Sequence, residues 1–379
     1  MFSNIILQLI VFLLPTQLGL HFWPDFSRVA GIKIDYLSPT LYLTDLFILS
    51  YILTSIRKVL GWIHLHTKSV SVFALLVILN TLFAISPLNT LLWWIRSIVY
   101  ISLFLAFRLN KVSWQQIKAP LIYSTILVVF IEVIQTTLQS SIGGILYWLG
   151  ERSYSASTPG LARLNLSGLN FVRAPSIFSH PNSLSGYLLV VYYLLHINKS
   201  PLWQKLAVFT GLLLTFSKAS LLAFVLVISL YINSSLLIAT FMIFSLLQVF
   251  LPYLPNSLQF ISDRLFLLSP VKSLITTRPI LGSGLGGFIP SLVNYLPGSF
   301  LLPEKLQPVH NLPLLICAEG GILGVWLLFT FIKVNLNKLL KPKLLGLIAL
   351  VIITGTFDHY WWTLPQNKLI LLLAASILL

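Results

Sequence analysis

The sequence predicts an all-α, polytopic membrane protein of about twelve transmembrane helices with two long outward-facing loops, and three observations carry that prediction. Of 379 residues, 57% are hydrophobic and only 9% charged, with a mean hydropathy of +0.92. A soluble domain of this length needs far more charge at its surface, so the bilayer must be the solvent. Apolar runs of roughly 20 residues recur along the chain, the length a helix needs to cross hydrocarbon with every backbone group bonded inside its own segment. The 24 Lys and Arg, against 9 Asp and Glu, gather in stretches between those runs. In a soluble protein that excess would suggest nucleic acid; between apolar runs it marks topology, and nucleic acid is excluded.

Taken in order, the expected spans lie near 4–20, 40–56, 70–86, 88–107, 119–139, 183–197, 205–217, 219–232, 235–251, 312–332, 344–357 and 367–379. The first twenty residues hold no Lys or Arg and no small-residue cleavage site, so they read as a retained span and not a removed signal peptide. With the N-terminus inside, the cytoplasmic stretches carry Arg57, Lys58, Lys68, Arg108, Lys111, Lys118, Lys199, Lys205, Lys333, Lys338, Lys341 and Lys343, twelve basic residues and no acid. Positive-inside bias therefore predicts both termini in the cytoplasm. The whole chain, 1–379, is then one transmembrane domain with no separate core, and its long loops, 140–182 and 252–311, face outward. The lone Cys317 lies in an apolar run and excludes an intramolecular disulfide.

The outer loops keep basic residues against the topological bias: Arg152, Arg163, Arg173, Arg264, Lys272, Arg278 and Lys305, with His180 and His310 beside them and Lys218 at a short outer turn. An anionic substrate is one reason, and solvated or headgroup-binding charge is another. The stretch RAPSIFSHPN runs from Arg173 into a span, where Pro181 suits the first turn and Ser179 or Asn182 can cap it. The stretch RPILGSGLGGF contains a G-x-G-x-x-G at Gly282, Gly284 and Gly287, but the strand, helix and acid of a dinucleotide site are missing around it. Its glycines suit a tight turn or a close approach to a ligand. In HNLPLLICAEGGILG, His310 and Asn311 sit at the mouth of a span, Glu319 lies deeper, and Gly320 and Gly324 suit helix packing. Glu319, Glu132, Asp45 and Arg96 are ionisable groups within spans, costly unless they work or pair. In DHYWWTLPQNK, Asp358 and His359 adjoin Tyr360, Trp361 and Trp362, which read foremost as an interfacial aromatic belt and secondarily as a sugar-binding cluster.

Ordered in this way, the motifs resemble the O-antigen ligase and O-antigen polymerase superfamily of bacterial envelope glycosyltransferases. The likeness runs through Arg173 with His180-Pro181-Asn182, Ser217-Lys218, Arg278-Pro279 with Gly282 and Gly284, and His310-Asn311 with Glu319, Gly321 and Gly324. Lys218 departs from the family's usual Arg, replacing a planar fork by a point charge. The resemblance implies a transferase of the cytoplasmic (inner) membrane of a bacterium, active face outward. Its donor is an oligosaccharide on undecaprenyl diphosphate, and its acceptor a hydroxyl of lipid A core, of another glycan repeat or of a protein. It makes His310 the general base, with Glu319 orienting it or holding an arginine. Arg173, Lys218, Arg264 and Arg278 bind the diphosphate, with His180, Asn182, Asn311, Gly282 and Gly284 in support. No Asp-x-Asp or Glu-x-Asp pair occurs, so neither metal nor other cofactor is expected, and beyond its substrates the chain's partners are membrane lipids. The competing reading is a secondary transporter of an anionic substrate, with a non-enzymatic scaffold third. Against transport, the halves show no internal repeat and the charged motifs cluster in outer loops.

Overall fold

The computed structural model describes residues 2–166, 169–230 and 266–379. The chain is mostly helical. In its first half come α1 (Phe2–Leu13), α2 (Leu43–Thr54), α3 (Ile56–Leu65), α4 (Thr67–Leu82), α5 (Pro87–Leu109) and α6 (Trp114–Leu138). After a long connection follow α7 (Pro181–Ile197), α8 (Leu202–Leu214) and α9 (Lys218–Leu230). Beyond the undescribed stretch lie α10 (Leu268–Thr277), α11 (Phe288–Ser291), α12 (Leu312–Leu339), α13 (Pro342–Gly355), α14 (Tyr360–Thr363) and α15 (Pro365–Leu378).

Among the described residues, three helices are long and apolar enough to cross a membrane: α5, α6 and residues Leu312–Thr330 of α12. A fourth results if α2 and α3, bent by 68°, form one broken span. The other apolar helices among the described residues have 10–17 residues. A 16-residue helix such as α4 rises only about 24 Å, short of the roughly 30 Å hydrocarbon thickness. The described residues thus supply fewer full-length spans than the twelve expected of the whole chain. Apolar content alone does not reveal where a helix breaks, and the expected span 235–251 lies outside the described residues.

Helix α7 is the centre of the bundle. Leu184, Leu188, Leu189, Val190, Val191, Leu194 and Leu195 are all buried, so the helix is covered on every side, by α6, α8, α9, α13 and α15. A helix apolar all round belongs in such a place. By contrast α12 leaves Ile322, Trp326 and Phe329 exposed, apolar surface that water would not tolerate in such quantity.

A second, smaller hydrophobic cluster joins the loops to the start of α12, through Leu315 and Ala318. Val29, Ile34 and Leu37 pack with Leu274, Phe288, Leu292, Leu306 and Val309. Residues 266–311, the described part of the second long loop, consequently form a folded cap, with α10 and α11 within it. Short antiparallel hairpins complete this side: β1 (Gly19–His21) pairs β4 (Thr40–Tyr42), β2 (Arg28–Val29) pairs β3 (Ile32–Lys33), and β5 (Arg163–Leu166) pairs β6 (Leu169–Val172). The first loop is tied to α6 through the buried Glu151 carboxylate, which accepts from Ile142 N and Gly143 N at 2.7 Å each and from Gln135 Nε2 at 2.7 Å.

Candidate active site

The site begins at the start of α7. His180 is the N-cap: its Nδ1 accepts from Asn182 N at 3.1 Å, and Pro181 occupies the first helical position, where no amide hydrogen is needed. The cap expected of Ser179 or Asn182 is therefore supplied by His180. Asn182 is left free to bridge. Its Oδ1 accepts from Arg173 Nη2 at 2.7 Å, and its Nδ2 donates to Asp358 Oδ2 at 2.8 Å.

Asp358 sits in the turn between α13 and α14, 6% exposed. Its other oxygen, Oδ1, accepts from His359 N at 2.8 Å and faces His310 Nδ1 at 3.4 Å. Burial alone would push the Asp358 carboxyl up. The His310 hydrogen bond and the charges of His310, His359 and His180 outweigh it and hold the carboxyl well below the usual carboxylate range. His359 stands 3.8 Å from Asp358 Oδ1 through Nε2, bonds Thr363 Oγ1 through Nδ1 at 2.9 Å, and lies 5.1 Å from the His310 ring. Burial lowers its pKa to about 3, the nearby Asp358 opposing and the other imidazoles reinforcing that shift. In the segment read as an aromatic belt, Asp358, His359, Tyr360 and Trp361 are buried against the protein, and Trp362 is half-buried. The sequence shows the Asp358-His359 pair beside the aromatic residues, but not that His310 and Asn182 meet it.

His310 immediately precedes α12, whose N-cap is Asn311: its Oδ1 accepts from Leu314 N at 2.8 Å while its Nδ2 donates to Thr356 O at 3.3 Å. That pair of bonds fixes His310 opposite the Asp358 turn. Arg173, at the end of β6, is held by its Nε donating to Thr215 O at 2.8 Å. Thr215 caps α8 just before Lys218 opens α9, and the first turns of α9 and α7 touch through Ser220 Oγ and Ser185 Oγ, 2.7 Å apart. Lys218 is exposed beside this junction. Two helix N-termini, with their partial positive charge, thus adjoin Arg173 and Lys218. Arg264 lies outside the described residues.

Two expected members stand elsewhere. Arg278 is exposed at the end of α10, where Nη1 donates to Phe83 O at 3.0 Å. Glu319 does not orient His310; Asp358 occupies that position. The Glu319 carboxylate, 4% exposed, accepts from Trp362 Nε1 at 2.8 Å and from Phe288 N at 3.5 Å. The glycine run likewise approaches protein backbone and not a ligand. Ser283 N and Gly284 N donate to Ala318 O and Glu319 O at 2.9 and 3.1 Å, while Ile322 N and Leu323 N donate to Pro279 O and Ile280 O at 2.7 and 3.1 Å. This double strap lies across a break in α12 at Gly321, whose φ of 59° and ψ of −162° interrupt the helix. Gly320 and Gly324 have nothing within 4 Å of where a methyl would stand, so neither mediates helix packing among the described residues.

The charges expected within spans resolve differently. Asp45 and Arg96 pair at 2.7 Å, with Arg96 also donating to Thr40 O. Glu132 is fully buried with no hydrogen-bond partner on either oxygen among the described residues. Asp45 and Arg96 line a cavity of about 570 Å³ that also reaches Glu319, Lys368, Trp93 and Trp362. Its far wall is the back of the histidine cluster, through Tyr36, His180 and Thr363.

His310, Asp358 and His359 bring one ligand atom each to within 4.8 Å of one another, a spacing that suits a cation. Their bonds favour a different use. Both Asp358 oxygens already accept from protein donors, and His359 Nδ1 is engaged by Thr363. The arrangement can hold one imidazole against a carboxylate, next to an arginine, at the edge of a large cavity. No protein-family model matches the chain, and no curated protein matches it at a significant level.

Proposed function

We propose that this chain is a membrane glycosyltransferase of the O-antigen ligase and polymerase type, with about twelve membrane-crossing or membrane-embedded segments, both termini cytoplasmic and the site facing outward. It transfers an oligosaccharide from undecaprenyl diphosphate to an acceptor hydroxyl. The observation that carries the reading is the continuous chain Arg173–Asn182–Asp358–His310, which links an anion-binding side chain to a carboxylate-held imidazole.

The chemistry follows from that chain. With Nδ1 turned to Asp358, His310 presents Nε2 as the general base, its side chain 22% exposed. The acceptor O–H gives its proton to Nε2 as the oxygen attacks the anomeric carbon. The bond from that carbon to the diphosphate oxygen breaks, and its electron pair leaves with the diphosphate. Asp358 fixes the ring tautomer and stabilises the imidazolium, as a carboxylate does for histidine in acyl-transfer triads. Arg173 and Lys218, with the adjoining N-termini of α7 and α9, meet the charge that develops on the leaving group.

The test is His310→Ala, assayed with a lipid-linked oligosaccharide donor in reconstituted membranes. Transfer should be abolished while the variant inserts at the normal level. Wild-type product from that variant would overturn the proposal.

A further inference from the structure

We propose that the cavity behind the histidine cluster is a binding subsite for a short, uncharged glycan, with Trp93 and Trp362 as its stacking platform and Lys368 and Glu319 as its hydroxyl-reading pair; the proposal rests on the transferase reading and assigns this space to the acceptor.

The walls decide the chemistry. Trp93 and Trp362 lie with ring centroids 4.8 Å apart at 40°, and both are only partly buried where they line the space. Indole faces of this kind match the apolar C–H faces of a sugar ring, as aromatic rings match other flat apolar partners. Trp362 is fixed by donating Nε1 to Glu319, and Lys368 Nζ stands 4.9 Å from the Trp93 ring. Beside the platform there are therefore an amine and a carboxyl group, which between them offer both donors and acceptors. A polyol satisfies both.

Charge arithmetic narrows the ligand further. Among the described residues lining the cavity are three acidic side chains, Asp35, Asp45 and Glu319, and three basic ones, Arg96, Arg152 and Lys368. Asp45 already holds Arg96 at 2.7 Å, and Asp35 holds Arg152 at 3.4 Å. An anionic guest would find no surplus of positive charge to offset its desolvation. A polyprenyl tail would leave six ionisable side chains facing hydrocarbon. The neutral, hydroxyl-rich part of the acceptor fits both constraints, and the volume falls within the ~300–1,000 Å³ of ordinary ligand cavities. Thr363 carries the connection to chemistry, since it lines the cavity while bonding His359 beside Asp358.

The experiment uses the full chain in lipid nanodiscs, free of sugar-headed detergent, on a printed panel of neutral, amino-sugar and uronate-bearing oligosaccharides. Neutral members should bind. Trp93→Ala and Trp362→Ala should each weaken that binding roughly tenfold, Trp362→Phe should retain most of it, and His310→Ala should leave it unchanged. Binding to no neutral glycan, strongest binding to uronates, or indifference to both alanine variants would overturn the subsite. The two readings separate cleanly: tryptophan-dependent glycan binding without any transfer would sink the reaction and keep the subsite. Transfer with an unchanged acceptor KM in Trp362→Ala would sink the subsite alone.

Discussion

Asp358 is the residue on which the site turns, because a single buried carboxylate accepts from Asn182, from the His359 amide and from His310. Asp358→Asn keeps the shape but sets an NH₂ group against donors that need an acceptor, and it removes the charge opposite the imidazolium. Transfer by this variant should fall by on the order of a hundredfold or more in kcat with KM little changed; an unchanged kcat would show that His310 acts without it. His359 makes a separate, pH-dependent contribution. Its folded pKa of about 3 lies below the 6.5 of the free side chain, so between those values the unfolded chain binds the extra proton and the folded chain does not. The stability is fully present above pH 6.5 and drains away as pH falls toward 3. Asp358, with its lowered pKa, adds a loss of the same sign below 3.8, the ordinary value of its carboxyl. The melting temperature in nanodiscs should therefore drop between pH 7 and 4, and His359→Asn should flatten that drop; an equal drop in both proteins would assign the acid sensitivity elsewhere.

At the scale of elements, the glycine strap over broken α12 yields a sharp contrast between neighbouring positions. At Gly282 φ is +64° and a methyl would stand 2.5 Å from Ala318 O, while at Gly321 φ is +59° and a methyl would strike Ile280 O. Both atoms struck are backbone, which cannot swing aside, and both conformations disfavour a side chain. Gly282→Ala and Gly321→Ala should each destabilise by about 1–3 kcal/mol or more, whereas Gly320→Ala and Gly324→Ala should be neutral. Folded yield and melting temperature measure this, and a tolerated Gly321→Ala would refute the strap. This element also marks how far a sequence can be read. Gly282 and Gly284 announced a close backbone approach, but not that the partner would be α12, since strand-like pairing of a loop with a helix break has no local pattern. His310, His180 and Asn182 stand out in the sequence because each lies at a helix start marked by Pro or Asn, and Arg173 because it leads into the His180-Pro181-Asn182 stretch. Asp358 does not. Its nearest sequence neighbours are aromatic, and its partners come from α7 and from the start of α12, 176 and 48 residues away.

For the whole molecule, the two ends of the bundle are chemically distinct. Helix α5, of 23 residues and so about 35 Å long, joins them. At its start Asn89 donates to Phe26 O, in the segment whose Val29, Ile34 and Leu37 belong to the cap's core. At its finish Arg108 donates to Ser376 O near the chain's last residue, and Asn110 accepts from Lys58 and bonds Ser55. Thr54 beside it reaches Ser3, so both termini gather at this basic end. Positive-inside bias expects both termini on the side that carries Lys58, Arg108, Lys111 and their like. If the basic end is cytoplasmic, as positive-inside bias requires, the histidine cluster must face outward, where lipid-linked oligosaccharides can meet it. Single cysteines placed in a Cys317→Ser background test the orientation directly. With a membrane-impermeant maleimide on intact spheroplasts, Arg163→Cys and Gly298→Cys should label, and Lys58→Cys and Lys338→Cys should label only after permeabilisation. The reverse pattern would turn the site toward the cytoplasm and remove the lipid-linked donor from its reach. Labelling of all four before permeabilisation would mean that α5 does not separate two aqueous compartments, and the bundle would then need another account of its exposed apolar helices.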